Sequence, residues 1–141
     1  MRCNTLITAA GLALSMATEV FAKPLVIGYY PSWKKAQSAS IDFSKYTHIN
    51  MAFGIPTASG TFSFDGDWFL PQTVTALHAV GTKVLISVGG WTGSNFFSNI
   101  VKDPSASTTL INSMVNYVDT NNLDGVDIDW EYPGRLGDNC N

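Results

Sequence analysis

Cysteine is almost missing from this chain. Of 141 residues only Cys3 and Cys140 carry a thiol, one near each end, so no internal disulfide framework holds the fold and a packed core must do so. Charge is also sparse, at 13% of residues, and the eight Lys and Arg are scattered. Without a basic stripe there is no electrostatic footprint for nucleic acid, which is not expected as a partner. No N-x-Ser/Thr sequon occurs, so N-glycosylation is not expected. The Gly89-Gly90 pair lacks GxGxxG spacing and no Lys-Ser/Thr pair follows it, which excludes a phosphate loop. His48 and His78 are isolated, with no cluster of zinc spacing; both read as packed or surface histidines, and neither a metal nor a cofactor is expected. No internal repeat or low-complexity tract is present.

No apolar run is long enough to cross a bilayer. The apolar stretch 6–16 follows the basic start Met1-Arg2 and precedes Val20-Phe21-Ala22, whose residues suit a signal peptidase. Residues 1–22 therefore read as a secretory signal cleaved after Ala22. Residues 23–141 are then a secreted, extracellular chain with no membrane attachment. Cys3 leaves with the signal, and Cys140 is left without a partner in this sequence.

What is present is a regular alternation of strand and helix patterns. Residues 25–30 read as a strand that contains Gly28 and ends at Pro31; Ser32-Trp33 opens the loop above it. Residues 34–43 form a polar connection without a strong helical period. A second strand covers 47–53, with Asn50 an oddly polar member. Residues 54–68 are a turn-rich excursion with a small hairpin around 61–64. A helix over 71–80 begins at Pro71 and stops at Gly81, with Val74, Leu77 and Val80 along one side. A third strand covers 83–88 and a helical turn 95–101. In the next helix, 107–120, the spacing of Leu110, Met114, Val115 and Val118 turns them toward the sheet. A fourth strand covers 124–131, and a loop follows from 134. Such units build a parallel sheet with helical crossovers.

The fourth strand is the most informative segment. DGVDIDWEY places Asp124, Asp127, Asp129 and Glu131 within eight residues. Val126, Ile128 and Trp130 alternate with Asp127, Asp129 and Glu131, as on a strand with one apolar face and one acidic face. Like charges this close raise the pKa of at least one member, which is how a carboxyl group is kept protonated for general acid work. Asp124 has the opposite parity and suits a structural position at the strand's start, accepting from backbone N–H groups.

This run resembles the DxxDxDxE signature of the family 18 glycoside hydrolases, the chitinases and their relatives, at Asp124, Asp127, Asp129 and Glu131. Ser87-Val88-Gly89-Gly90-Trp91 is similar to the family's SxGG segment. GYYPSW and HINMAFG resemble its first two strands, and the resemblance covers nearly all of the chain after residue 23. It implies a (β/α)8 TIM barrel, which typically needs about 250 residues. Only about the first four β/α units are present, so 23–141 reads as the N-terminal half of a catalytic barrel, truncated. Half a barrel would expose two sheet edges and one face of its core. The complete barrel is expected to be a monomer.

Reactive groups of such a barrel sit at the carboxyl ends of its strands. Glu131, nearest the mouth, would give a proton to the glycosidic oxygen and then act as base toward water. Asp129 lies about 6.6 Å deeper along the strand, and Asp127 below it could share a proton with it. The resemblance implies endo-type, retaining hydrolysis of β-1,4 N-acetylglucosamine linkages in chitin or chito-oligosaccharides. The substrate's own acetamido oxygen is the nucleophile, and Asp129 orients that group. By position Trp33, Trp91 and Tyr132 stand at the upper rim. By resemblance Tyr29, Phe53 and Trp91 line the subsite at the cleaved sugar, and Trp33 serves a more distant one. Gly90 with Gly89 would make backbone room for the substrate, and Ser87 would hydrogen-bond near the acids. Trp130 should pack under a helix and Trp68 locally. Two alternatives stand beside the chitinase reading. One is a silent, chitin-binding lectin-like protein, whose kind usually lacks the acid at the position of Glu131. The other is an endo-β-N-acetylglucosaminidase acting on N-glycans, against which the Trp33 and Trp91 rim and the WEYPG ending count.

Overall fold

The computed structural model describes residues 24–134. The expected signal at 1–22, Cys3 and Cys140 lie outside the described residues. Among the described residues five strands form, β1 (Ile27–Pro31), β2 (His48–Pro56), β3 (Phe62–Ser63), β4 (Lys83–Gly89) and β5 (Gly125–Asp129), with four helices, α1 (Leu70–Ala79), α2 (Gly90–Gly93), α3 (Phe97–Lys102) and α4 (Pro104–Thr120). The sheet order is β1-β2-β4-β5, every neighbouring pair parallel, and β3 adds an antiparallel hairpin to β2. Each new parallel strand is laid on the same side of the last. This is the winding a barrel requires; a doubly wound sheet would reverse direction. β1 and β5 are its two edges.

The pleat sorts the side chains. Tyr30, Ile49, Met51, Val84, Ile86 and Val88 point toward the helices and are all buried. They meet Leu70, Val74 and Leu77 of α1, Phe97 and Ile100 of α3, and Leu110 of α4 in one continuous core. The alternate residues, Asn50, Ala52, Ser87, Asp127 and Asp129 among them, take the opposite face.

Helix ends follow local chemistry. Asp103 caps α4, its carboxylate accepting from Ser105 N–H (2.8 Å) and Ala106 N–H (3.3 Å) ahead of Pro104 in the first turn. Gly81 ends α1 at φ +81°, where any L side chain would be strained. Two side chains expected on apolar faces are not there. Val80 is the residue that caps α1 and is half exposed; Val115 is 55% exposed. On α4 the inner stripe is Leu110, Met114, Tyr117 and Val118, and Val115 stands one 100° step past Met114.

The polar connection after β1 is more ordered than its pattern predicts. Ser32–Ser40 and Phe43–Lys45 are 3₁₀ turns. Ser38 and Ser40 donate to the carbonyls three residues back (2.7 and 2.9 Å), and Asp42 accepts from Ser44 N–H (3.1 Å). Short hydroxyl side chains that bond back to the chain favour such tight turns, whose period is three rather than 3.6.

Strand β2 runs three residues past its expected end and folds back on β3 through a turn at Thr57–Gly60. The hairpin leans on α4. The rings of Phe62 and Tyr117 meet at a 60° tilt with centroids 5.0 Å apart, and Tyr117 donates to Asp67 at 2.5 Å. Burial, then the bond to Asp67, hold the Tyr117 hydroxyl far above its ordinary pKa.

Ile86→Ala is expected to cost about 2–5 kcal/mol, because it empties a fully buried site between sheet and helices. Ile111→Ala, on the exposed side of α4, should change stability by less than about 0.5 kcal/mol. Urea unfolding of the two variants beside the parent checks this; equal losses would contradict the placement of the core.

Candidate active site

The acids leave the sheet in steps. Ser87 pairs with Asp127, and Gly89 with Asp129, which is the last pair of the β4–β5 ladder. The strand expected to reach residue 131 therefore ends at Asp129, and Glu131 stands two residues beyond it at the mouth.

Asp127 is held from two sides. Tyr29 donates to its Oδ2 at 2.9 Å and Ser87 to the same oxygen at 2.7 Å. The Tyr29 hydroxyl is pushed above its ordinary value by burial, then by its bond to Asp127, while a hydrogen bond with the buried Asn50 works in the other direction. Tyr29, Asp127 and Ser87 thus form one chain of hydrogen bonds across β1, β5 and β4. Asn50, the polar residue in the middle of β2, is buried beside Tyr29 on the neighbouring strand. Asp129 lies between two like charges. Burial first, then Glu131 and Asp127, raise its pKa above the ordinary carboxylate range. This is the arrangement in which one member of a carboxylate column retains a proton.

Glu131 opens into a cleft of about 560 Å³ whose walls include Trp33, Phe53 and Trp91. Trp33 is 64% exposed and Trp91 61%, so a ring face of each is open to a ligand. Phe53 ties the cleft floor together, 6.1 Å from the Tyr29 ring and 6.4 Å from that of Trp33. Tyr132 meets Trp91 edge-on at 6.3 Å. The peptide bonds Ala52–Phe53 and Glu131–Tyr132 are cis. Four further lining residues were not read from the sequence: Ile55, Ser63 and Asp65 from the hairpin, and Thr92 beside Trp91. Their neighbourhood depends on the β2–β3 hairpin folding over the sheet's end, which no local motif encodes.

The two glycines make room differently from the expectation. A Cβ on Gly89, at φ +119°, would collide with the carbonyl oxygen of Asp129. One on Gly90, at φ +75°, would meet the Phe53 ring at 3.0 Å. The space they leave is taken by β5 and by Phe53, and Gly90 is buried beneath that ring rather than facing the cleft.

Asp124 sits at the far end of the strand. Its Oδ2 accepts from Val84 N–H at 2.8 Å and lies 2.8 Å from His78 Nε2. Burial pushes its pKa up, but the Val84 N–H, His78 and Lys83 together bring it below the ordinary value. His78, read as a packed or surface residue, is therefore a partner of the acid motif. Its 46-residue separation from Asp124 hides that in sequence. Trp130 packs on Phe97 at 5.4 Å, on the helix side. Trp68 is exposed, with Lys35 Nζ 5.5 Å from its ring centroid. Among the described residues no group of three or more His, Cys, Asp or Glu could hold a metal ion, and no helix is long and apolar enough to cross a membrane.

Glycosyl hydrolases family 18 matches residues 25–139, and the chain belongs to that family. A chitinase-like effector of Moniliophthora perniciosa is 40% identical over 126 residues, covering 85% of this chain and 29% of that protein. The crystal structure of a chitinase from Rhizomucor miehei superposes with a TM-score of 0.68 at 37% identity, over 75% of this chain and 33% of that one. The chitinase-like agglutinin of Robinia pseudoacacia superposes equally well, with a TM-score of 0.68 at 26% identity, over 77% of this chain and 35% of that one. The chain thus spans about a third of the length of these relatives. Its four parallel strands are the first four of the (β/α)8 barrel.

The raised pKa of Asp129 has a sign that can be measured. A carboxyl whose folded pKa lies above its ordinary 3.8 binds its proton more tightly in the folded state. Its contribution to stability is fully present below that ordinary value and is lost as pH rises through the raised one. Asp129→Asn is therefore expected to raise the melting temperature near pH 7 and to give no gain near pH 3, where both forms are neutral. Thermal melts of parent and variant at the two pH values decide; a variant less stable near pH 7 overturns the assignment.

Proposed function

We propose that the complete barrel carrying this chain is a secreted, extracellular endo-type chitinase. It hydrolyses β-1,4 linkages between N-acetylglucosamine units with retention of configuration. The observation that carries this reading is Glu131, set at the mouth of a column of acids and opening between Trp33 and Trp91. Sugar rings present flat C–H faces that stack on exposed aromatic rings, and the proton donor must lie within hydrogen-bond reach of the glycosidic oxygen.

The steps follow from the column. Glu131 protonates the leaving oxygen as the bond to the anomeric carbon breaks. The acetamido carbonyl oxygen of the same sugar attacks that carbon, giving a cyclic oxazolinium ion. Asp129 accepts the acetamido N–H and offsets the charge growing on its nitrogen. Asp127, fixed by Tyr29 and Ser87, lies on the other side of Asp129 and takes the proton held between them as the ion forms, which leaves Asp129 anionic beside the acetamido nitrogen. Water then opens the ring, and Glu131 takes its proton. A plain glucose polymer lacks the nucleophile and is not a substrate. The likeness to an effector and an agglutinin that are both named chitinase-like supports a second reading, binding to chitin without cleavage. The presence of Glu131 and Asp129 favours the first.

In the complete barrel Glu131→Gln should lower kcat by about 10²–10⁴-fold or more, because general acid–base catalysis is lost, while chitin binding survives. Kinetics on chitin oligomers beside a high-mannose glycopeptide test both activity and substrate class. Full turnover by Glu131→Gln, with Asp124→Asn folded but inactive, overturns the assignment of the donor. Asp124→Asn is expected instead to reduce the yield of folded protein.

Residues 23–141 alone should show little turnover of a fluorogenic chitobioside, since four of the barrel's eight strands form only part of the cleft. A rate near that of a complete family 18 chitinase would contradict this.

A further inference from the structure

Glu131 stands where the sheet no longer holds the chain. The β4–β5 ladder stops at the Gly89–Asp129 pair, so the Glu131 N–H has no strand partner beside it. A backbone N–H at such a position needs an acceptor, and an unmet one leaves the chain free to shift. The acceptor is Ser94 Oγ, at 2.8 Å. Ser94 is 7% exposed and opens the 3₁₀ turn directly after α2. Its hydroxyl lies 2.8 Å from the Gly90 carbonyl oxygen and 3.2 Å from that of Asp129. A hydroxyl has one proton to give and can accept as well. Ser94 therefore accepts from Glu131 while donating to Gly90, with the Asp129 carbonyl as the longer alternative. One oxygen atom ties together the first residue of α2, the end of the acidic strand and the main chain of the proton donor.

The position of this atom has a consequence for the reaction. Gly90 and Ser94 bracket Trp91 and Thr92, two residues of the cleft wall. The wall on which a sugar stacks and the acid that must reach its glycosidic oxygen are thus tied to each other through Ser94, beyond the Gly89–Asp129 pair where the ladder stops. We infer that Ser94 is a positioning residue for Glu131: it fixes the carboxyl group against the Trp91 wall at the distance proton transfer requires. This rests on the reading of Glu131 as proton donor. Ser94 touches neither the substrate nor the carboxyl group and acts through the backbone alone.

Geometry of this kind enters the turnover rate more than the affinity, because a misplacement of about 1 Å at the reacting atoms costs on the order of 10²-fold in rate. The stacking surfaces of Trp33, Phe53 and Trp91 are retained when Ser94 loses its hydroxyl. In the complete barrel Ser94→Ala is therefore expected to lower kcat on chitin oligomers by about 10- to 100-fold with KM within about twofold of the parent. Ser94→Thr and Ser94→Val have equal shape and differ in the hydroxyl; Thr should exceed Val in kcat by about tenfold at similar melting temperatures. That difference is one a merely structural role would not produce. A kcat for Ser94→Ala within twofold of the parent, or a Val variant as fast as Thr, overturns the inference. If Ser94→Ala fails to fold, the Thr and Val pair carries the comparison. Glu131→Gln run in parallel separates the two levels. If it keeps full turnover, the proton donor is misassigned; if it is inactive while Ser94→Ala is fast, only the role of Ser94 falls.

Discussion

The parallel ladder between β4 and β5 is the constraint on which the site depends. It pairs Ser87 with Asp127 and Gly89 with Asp129, and its register turns Asp127 and Asp129 to one face and Val126 and Ile128 to the other. A slip of one residue would exchange the faces, placing carboxylates against the helices and valine and isoleucine in the interior. Burial of Val84, Ile86 and Val88 under the helices works against that slip. The hydrophobic layer thereby specifies where the acids stand.

At each end of the column a different device takes over from the ladder. Below, Asp124 bonds the main chain of Val84 and meets His78, tying the start of β5 to β4 and α1. Above, Ser94 receives the chain where pairing stops. Between them Asp127 is held by two donors on one oxygen, whereas Asp129 is crowded by carboxylates on both sides. Neighbouring acids of the same strand thus differ in surroundings: one is fixed by hydrogen bonds and the next is biased toward its protonated form.

Much of this was legible in the sequence, for reasons that can be named. Period-two alternation in DGVDIDWEY marked the strand and the side of it that carries Asp127 and Asp129, because side-chain direction on a strand is fixed by parity alone; Glu131, expected on the same strand, stands beyond its end. Parity likewise set Asp124 and Trp130 apart from those three, and Pro71 with Gly81 bounded α1 closely. What was hidden depended on partners far along the chain. His78 meets Asp124 across 46 residues, and Ser94 is one serine among many until the end of the ladder leaves an N–H for it. The role of Gly90 was misread because its crowding comes from Phe53, a residue of another strand. Apolar character alone suggests inner faces for Val80 and Val115, but Val80 follows the end of α1 and Val115 stands one 100° step past Met114.

The hairpin after β2 supplies one side of the cleft, through Ile55, Ser63 and Asp65, yet it is fastened elsewhere. Gly60 lies against the carbonyl of Ala106, Phe62 on the ring of Tyr117, and Asp67 on its hydroxyl. All three anchors are on α4. The width of the groove is thus a property of the outer helical layer, set by how α4 lies against the hairpin, and the loop itself has little freedom to close on a guest. This wall of the cleft is therefore preformed, and contact with it would draw little on the ordering of protein segments.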